Sequence, residues 1–137
     1  DLGRTPILAL VAKGYLPQGN RKLKFRDLVR HPLIYREIGS RTRAQVEEEA
    51  VRLKLALTPS IEVEGREAMR EVVASGAGIG FISEAEFGHD RRLKAIPFED
   101  VDIGMSESLV TLSARRDVPL IRGFVKAVQK SLACVRN

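Results

Sequence analysis

The chain has few cysteine, histidine and aromatic residues. Its 137 residues contain one cysteine, Cys134, two histidines and no tryptophan, and only 5% of them are aromatic. A single cysteine cannot form a disulfide within the chain, which indicates a protein of the reducing cytoplasm. Because nucleic-acid surfaces commonly stack bases on aromatic side chains, the shortage of these residues argues against such a surface.

Long apolar runs are also missing. The longest uncharged apolar run covers residues 7–12, six residues in all. A membrane-spanning helix needs about 20. The first residues also lack the basic and then apolar order of a secretory signal peptide. We therefore expect neither a transmembrane helix nor a signal peptide in this sequence.

Sequence motifs of common enzymes are absent too. There is no Gly-x-Ser-x-Gly and no Ser-x-x-Lys motif, and His31 and His89 lie 58 residues apart without a partner at metal-ligand spacing. The glycine-rich string from Gly76 to Gly80 follows a predicted helix and enters a predicted strand. A dinucleotide-binding fingerprint needs the opposite context. We predict that the chain is not an enzyme and holds no metal or cofactor.

The composition is that of an ordinary globular protein, with 44% apolar and 30% charged residues. Positive charge is concentrated in the first part. Residues 1–57 carry 12 Lys or Arg and 6 Asp or Glu, a net charge of +6, whereas residues 58–137 carry 11 and 12, a net charge of −1. This basic first part leaves a DNA-binding or RNA-binding module as one functional alternative, which would show steep salt dependence.

Strand and helix signals alternate along the chain, which predicts an α/β fold with a sheet between helices. Apolar or alternating runs predict strands at 7–11, 33–35, 61–64, 79–82 and 109–113. Helices are predicted at 25–29, 41–57 and 66–75, and from Asp117 onward. Residues 83–106 are expected to be polar and irregular, with a stretch that can run extended at 93–98. The apolar stripe of the last helix is Ile121, Phe124 or Val125, Val128 and Leu132.

The start of the predicted helix at 41–57 is a candidate anion site. A helix N-terminus presents free N–H groups and a partial positive charge, and here hydroxyl and guanidinium groups surround it. These groups belong to Arg36, Ser40, Arg41, Thr42 and Arg43. The helix follows a predicted strand, and ligands of open α/β sheets bind outside the carboxyl ends of strands.

Helical spacing predicts which of these side chains face inward. Thr42 and Arg43 precede the apolar position Val46 by four and three residues, so they should point along the sheet edge, and Arg41 toward solvent. Ser40 is the predicted cap, and Thr42 with Gln45 is an alternative capping box. The alternative to an anion site is that the hydroxyls only cap the helix while the arginines pair with Glu37 or Glu47.

Three segments together resemble a known family. Residues 33–43 (LIYREIGSRTR), 65–68 (GREA) and 72–82 (VVASGAGIGFI) resemble the effector-binding domain of LysR-type transcriptional regulators in both order and spacing. The resemblance covers nearly the whole chain. It implies a lobe like that of type II periplasmic binding proteins, with a central mixed sheet flanked by helices and a small-molecule effector bound between two lobes.

The resemblance also implies a domain plan. Residues 1–116 would be the second lobe, and residues 117–137 a C-terminal helix that packs on a first lobe outside this sequence. A winged helix-turn-helix outside this sequence would bind DNA, and the intact protein would be a homodimer or homotetramer. The segment Gly39-Ser40-Arg41-Thr42-Arg43 would then lie at the cleft between the lobes.

Residues 83–88 (SEAEFG) further resemble the subgroup associated with 2-aminoethylphosphonate catabolism. A phosphonate suits the helix N-terminus with Ser40, Thr42, Arg43 and Arg36, and the ammonium of such an effector suits Glu84. A fragment of a solute-binding transport protein, which shares the two-lobe fold, is the alternative function.

Overall fold

The apolar run predicted at residues 7–11 lies in the second half of strand β1 (Gly3–Ala12), and the sheet is built around this strand. Two later strands, β4 (Gly80–Ser83) and β5 (Leu93–Ile96), pair with it in antiparallel orientation. A further strand, β6 (Gly104–Glu107), also pairs with β1. Side chains on both faces of β1 are buried from Ile7 onward, as expected for a central strand.

The structure, a computed structural model, describes residues 1–17, 19 and 21–135. The chain folds into two compact units. The larger runs from Arg4 to Met105, and the smaller combines Asp1–Gly3 with the chain from Ser106 onward. The structure thus divides the chain after Met105, whereas the sequence predicted a division after Arg116. Residues 136 and 137 of the predicted C-terminal segment lie outside the described residues.

Parallel strands lie beside the antiparallel part. Strand β2 (Leu33–Arg36) pairs in parallel with β3 (Pro59–Val63). A parallel bridge between Leu33 and Ile79, just before β4 (Gly80–Ser83), connects β2 to the rest of the sheet. The sheet is therefore mixed, as predicted.

Helices cover both faces of this sheet. Helix α1 (Arg41–Arg52) and a short 3-10 helix (Phe25–Arg30) lie on one face, and α2 (Arg66–Ala74) lies on the other. The remaining elements of the larger unit are α3 (Glu84–Phe87) and β5 (Leu93–Ile96). The first face holds a core of Ile7, Ala9, Val11, Phe25, Leu28, Val46 and Ala50. The second core contains Leu10, Ile34, Met69, Val73 and Ile82.

Two glycines of the glycine-rich string from Gly76 to Gly80 allow close contacts with neighbouring segments. A Cβ atom on Gly80 would lie 2.8 Å from Cγ2 of Val73. One on Gly78 would collide with the carbonyl oxygen of Pro32. Gly76 follows the C-cap of α2 with φ of +84°. These glycines provide a helix end and close packing, not a dinucleotide site.

Helix α1 ends at Arg52, five residues earlier than predicted. Lys54 adopts a left-handed conformation (φ +56°), and the N–H of Leu55 donates to the carbonyl of Ala50. These two features turn the chain out of the helix. Leu53 and Leu57, the last two residues of the predicted stripe, still pack against the core from outside the helix.

The strand predicted at residues 109–113 is wrong. The structure places β6 earlier, at Gly104–Glu107, and a 3-10 turn at Ser113–Arg115. Val110 and Leu112 are exposed, because residues 108–112 pair with no strand in the described part of the chain. The prediction of an irregular segment at 83–106 is also wrong in part, since α3 and the start of β6 lie within it. The extended stretch predicted at 93–98 is confirmed by β5.

The smaller unit contains helix α4 (Pro119–Val135), which begins at the predicted proline. The half-buried positions of its stripe are Ile121, Val125, Val128 and Leu132. Phe124, the alternative stripe residue, is 57% exposed. Within this unit the stripe lines a groove of about 500 Å³ that also includes Leu2 and Leu109.

Candidate functional site

Three strands of the larger unit end at one edge of the sheet. β2 and β3 are parallel and end at Arg36 and Val63. The Ile34 N–H donates to the Ile79 carbonyl at 2.9 Å, which sets β4 parallel to β2 at their start. A helix follows each strand, so this edge collects the starts of α1, α2 and α3. Such an edge is where open α/β sheets bind ligands.

Ser40 caps the start of α1, as predicted. Its Oγ accepts a hydrogen bond from the N–H of Arg43 (3.4 Å), and its own N–H donates to the carbonyl of Glu37 (3.2 Å). Gly39, with φ of +101°, completes this turn. The first N–H groups of a helix have no partner inside it, so those of Arg41 and Thr42 remain available.

The alternative capping box is not formed. Thr42 lies inside the first turn of α1 and is 6% exposed, and its hydroxyl makes no hydrogen bond with the described residues. The side chain of Gln45 donates to Glu48 instead of to the helix start. The predicted orientations hold, since Thr42 is buried, Arg43 is 11% exposed at its side chain, and Arg41 faces solvent.

Arg43 is already engaged by the protein. Its Nε donates to Glu47 at 2.7 Å, and its Nη1 donates to the carbonyl of Arg36 at 2.8 Å and to Glu62 at 3.0 Å. These two carboxylates raise the pKa of the guanidinium. Arg43 therefore ties α1 to the end of β2 and to β3, which limits its capacity to bind a ligand.

Arg36 is engaged in the same way by its neighbour. Its Nη2 donates to Glu37 at 2.6 Å, and the second carboxylate oxygen of Glu37 accepts from the N–H of Gly65 at 3.0 Å. Hydrogen bonds from Arg36 and from the Gly65 N–H lower the pKa of Glu37 to about 2. The pairing of arginines with Glu37 and Glu47 that the sequence offered as an alternative is thus present.

Charges around the start of α1 are nearly balanced. Glu37, Glu47 and Glu62 accept hydrogen bonds from Arg36 and Arg43. Arg41 makes no ion pair with any residue that the structure describes. The positive character of the site therefore comes from Arg41 and from the free N–H groups of α1.

Tyr35 is a neighbour that the sequence did not single out. It is 2% exposed, and its hydroxyl has no hydrogen-bond partner among the described residues. The guanidinium of Arg43 lies 5.3 Å from the centre of its ring. Burial, together with the nearby charge of Glu47, raises the pKa of Tyr35 to about 12. A shallow depression here is lined by Ile34, Tyr35, Arg36, Thr42, Arg43, Met69 and Phe81.

Glu84 lies at the same sheet edge, as the first residue of α3, and is exposed. It makes no ion pair with the described residues, whereas Glu86 pairs with Arg66 at 3.0 Å. Thr5 reaches this point because β1 and β4 are antiparallel. Its hydroxyl accepts from the N–H of Ala85 at 3.2 Å. No local sequence signal marks Thr5, since only the pairing of distant strands brings it here.

The described residues contain neither a metal-binding cluster nor a membrane-spanning helix. No cluster of three or more His, Cys, Asp or Glu side chains there is placed to hold a metal ion. None of the described helices has the length and apolar character to cross a membrane.

Residues 1–133 match the family model for the LysR substrate binding domain. The chain belongs to the LysR substrate-binding domain family. This match across nearly the whole chain confirms the resemblance that the sequence motifs indicated, and it does not favour a fragment of a transport protein. The family consists of transcriptional regulators, and this chain corresponds to the effector-binding domain of a LysR regulator.

One curated relative of this LysR domain is the HTH-type transcriptional activator CmpR of Synechocystis sp.. The two are 32% identical over 78 residues, which are 57% of this chain and 26% of CmpR. The chain thus matches about a quarter of the length of this relative.

Solved structures of LysR regulators share the fold. HinK of Pseudomonas aeruginosa superposes with a TM-score of 0.76 at 17% identity, covering 95% of this chain and 46% of HinK. The CcmR regulatory domain of Synechocystis, solved with 2-PG, gives 0.72 at 16% identity, covering 94% and 64%. These likenesses confirm a lobe of the periplasmic-binding-protein-like type II fold. The LysR domain described here spans about half to two thirds of those chains.

Proposed function

We propose that this chain is the effector-sensing second lobe of a LysR-type bacterial transcriptional regulator. The observation that carries this proposal is the family match over residues 1–133, combined with a helix N-terminus at the carboxyl edge of the sheet. In this proposal residues 1–116 form the second lobe. Residues 117–137 form the C-terminal helix, which packs on a first lobe outside this sequence.

We infer that the effector is a small anionic metabolite whose negative group lies at the start of α1. The contacts assigned to it are the N–H groups of Arg41 and Thr42, the Thr42 hydroxyl, and the charge of Arg41. Ser40 shapes this position as the helix cap. Arg36 and Arg43 border the site. Because both donate hydrogen bonds to glutamates, we assign them the role of holding the shape of the site.

Two LysR relatives support a small ligand of this kind. CcmR was solved in complex with 2-PG and the effector-binding domain of QuiR with shikimate. Our candidate effector is 2-aminoethylphosphonate, whose phosphonate would bind at α1 and whose ammonium would pair with Glu84. A charge-assisted hydrogen bond contributes about 1.5–3 kcal/mol. Three of them supply about 5–9 kcal/mol before the cost of association, which sets a Kd on the order of micromolar to millimolar as the tightest binding expected.

For the intact protein we propose the plan that the family resemblance implies. DNA is bound by a winged helix-turn-helix that is not in this chain, the assembly is a homodimer or homotetramer, and the protein acts in the cytoplasm. The chain itself has no catalytic role. An effector held between the lobes would change how they close and so redirect the DNA-binding domains.

A thermal-shift titration at low salt tests the proposed site. The ligands are 2-aminoethylphosphonate, inorganic phosphate and shikimate, because they separate phosphonate, phosphate and carboxylate recognition. A ligand at 100 times its Kd stabilises the folded state by about 2.7 kcal/mol. We expect 2-aminoethylphosphonate to raise the Tm of the wild-type chain more than the other two.

Three variants locate the effect. Thr42→Val removes the hydroxyl while keeping a similar side-chain shape, and Arg41→Ala removes the unpaired charge, so both should reduce the shift in Tm. Arg26→Ala removes one exposed charge from the 3-10 helix and should leave the shift unchanged. Equal shifts in the wild type, Thr42→Val and Arg41→Ala would contradict binding at α1.

A further inference from the structure

Glu37 contacts the starts of two helices at the carboxyl edge of the sheet. Its carboxylate accepts a hydrogen bond from the N–H of Gly65 (3.0 Å), the residue just before α2. Its backbone carbonyl accepts from the N–H of Ser40 (3.2 Å), the cap of α1. One residue therefore links the segment that begins α1 to the start of α2.

Arg36 fixes the direction of this carboxylate. Its Nη2 donates to one oxygen of Glu37 at 2.6 Å, and its Nε donates to the other at 3.3 Å. The second oxygen also receives the Gly65 bond. Both oxygens of Glu37 thus have partners within the protein, and the side chain is only 35% exposed. The carboxylate of Glu37 therefore has little capacity left to bind a ligand.

The loop that Glu37 secures carries the proposed anion contacts. It runs from Arg36 through Gly39 to Ser40, and the free N–H groups of Arg41 and Thr42 follow directly. A binding group that is 1 Å out of place loses much of its contribution, so rigid support for these N–H groups increases affinity.

We propose that Glu37 is a positioning residue of the effector site, which anchors the start of α1 to the start of α2 without touching the effector. This inference rests on the proposed function. It makes a prediction opposite in sign to simple electrostatics. Removal of a negative charge near an anion site should strengthen anion binding, whereas removal of an anchor should weaken it.

Glu64 offers a matched control for the charge. It precedes Gly65 directly and is exposed, and its side chain makes no ion pair or hydrogen bond with the described residues. Glu37→Ala and Glu64→Ala therefore each remove one negative charge beside the start of α2. Only Glu37→Ala also removes the anchor. Glu37→Gln is the conservative variant, since its amide oxygen can still accept from the Gly65 N–H.

Two measurements on the 137-residue chain test the proposal. The first is the affinity for inorganic phosphate, followed by the amide NMR signals of Arg41 and Thr42. We expect Glu37→Ala to raise the Kd by roughly three- to tenfold, about the effect of weakening one hydrogen bond. Glu64→Ala should leave the Kd equal or lower, and Glu37→Gln should recover part of the loss.

The second measurement is amide hydrogen exchange at Gly65 and Ser40. Glu37→Ala removes the acceptor of the Gly65 bond, so faster exchange at Gly65 is expected from any role of Glu37. The backbone acceptor of the Ser40 bond remains in this variant. Faster exchange at Ser40 therefore reports that the carboxylate anchors the loop, and Glu64→Ala should leave it unchanged.

The outcomes separate this inference from the proposed function. Unchanged exchange at Ser40 in Glu37→Ala, or phosphate binding at least as tight as in Glu64→Ala, overturns the role of Glu37. If phosphate fails to move the Arg41 and Thr42 signals of the wild type, the proposed anion site is wrong. In that case exchange at Ser40 still decides whether Glu37 anchors the loop.

Discussion

The guanidinium of Arg43 donates to the carboxylate of Glu62 at 3.0 Å, across the space between helix α1 and strand β3. The two residues are 19 positions apart in the sequence. Their contact gives Arg43, which the sequence marked as an effector ligand, a structural role. It also contributes to the balance of charge at this helix start, where Arg36, Arg41 and Arg43 lie beside Glu37, Glu47 and Glu62.

Replacement of Arg43 by alanine should therefore destabilise the fold. The variant loses hydrogen bonds to Glu47, Glu62 and the Arg36 carbonyl, and we expect a loss of about 1–3 kcal/mol in the free energy of unfolding. Arg43→Lys should recover only part, because an ammonium cannot reproduce the planar fork. Urea denaturation measures both. Arg41→Ala is the control, because Arg41 makes no ion pair with the described residues and its removal should change the free energy of unfolding little. If Arg43→Ala lost no more stability than Arg41→Ala, the structural role of Arg43 would be contradicted.

Gly80 is packed too closely for any side chain. An added Cβ would lie 2.8 Å from Cγ2 of Val73 and 3.2 Å from Sδ of Met69. Gly80→Ala should destabilise the fold by about 1–3 kcal/mol, as expected for an overpacked core. In a Val73→Ala background the same change should cost less, because the clashing methyl is gone. Thermal unfolding of the four variants of this cycle tests the contact, and strict additivity would refute it.

Lys54 ends helix α1 in a conformation that glycine adopts more readily. Its φ is +56°, and left-handed backbone costs roughly 1 kcal/mol for a residue with a Cβ atom. Lys54→Gly should raise the free energy of unfolding by about 0.5–1 kcal/mol after the greater entropy of the unfolded glycine chain is counted. Lys54→Ala keeps the Cβ atom and should bring no gain. Equal stability of both variants would argue against strain at this residue.

The ionisation of Glu37 can be observed directly. Its pKa is lowered from 4.5 to about 2 by Arg36 and by the Gly65 N–H. A lowered pKa in the folded state means that Glu37 stabilises the fold above about pH 4.5 and that this contribution is lost as the pH falls toward 2. A ¹³C NMR titration of its carboxyl carbon should give a midpoint near 2. A midpoint near 4.5 would show that the carboxylate is not held.

Local sequence patterns were sufficient for the start of α1. Ser40 lies at a cap position, and Val46 and Ala50 define the buried stripe, so the inward position of Thr42 and the outward position of Arg41 could be predicted. The central strand was equally clear, because its apolar run is continuous.

Contacts between distant segments could not be predicted in this way. The pairing of Arg43 with Glu62 depends on β2 and β3 being parallel neighbours, and the contact of Thr5 with Ala85 depends on the antiparallel pairing of β1 with β4. The strand predicted at 109–113 failed for a related reason. An apolar run forms a strand only where a neighbouring strand is free to pair with it.

The central claim is that an anionic effector binds at the N-terminus of α1. Amide NMR mapping of the 137-residue chain during titration with 2-aminoethylphosphonate tests it most directly. The account predicts that the largest shifts occur at Ser40, Arg41 and Thr42, and that Thr42→Val reduces them. Shifts confined to the basic residues at 21–30, or spread evenly over the surface, would contradict it.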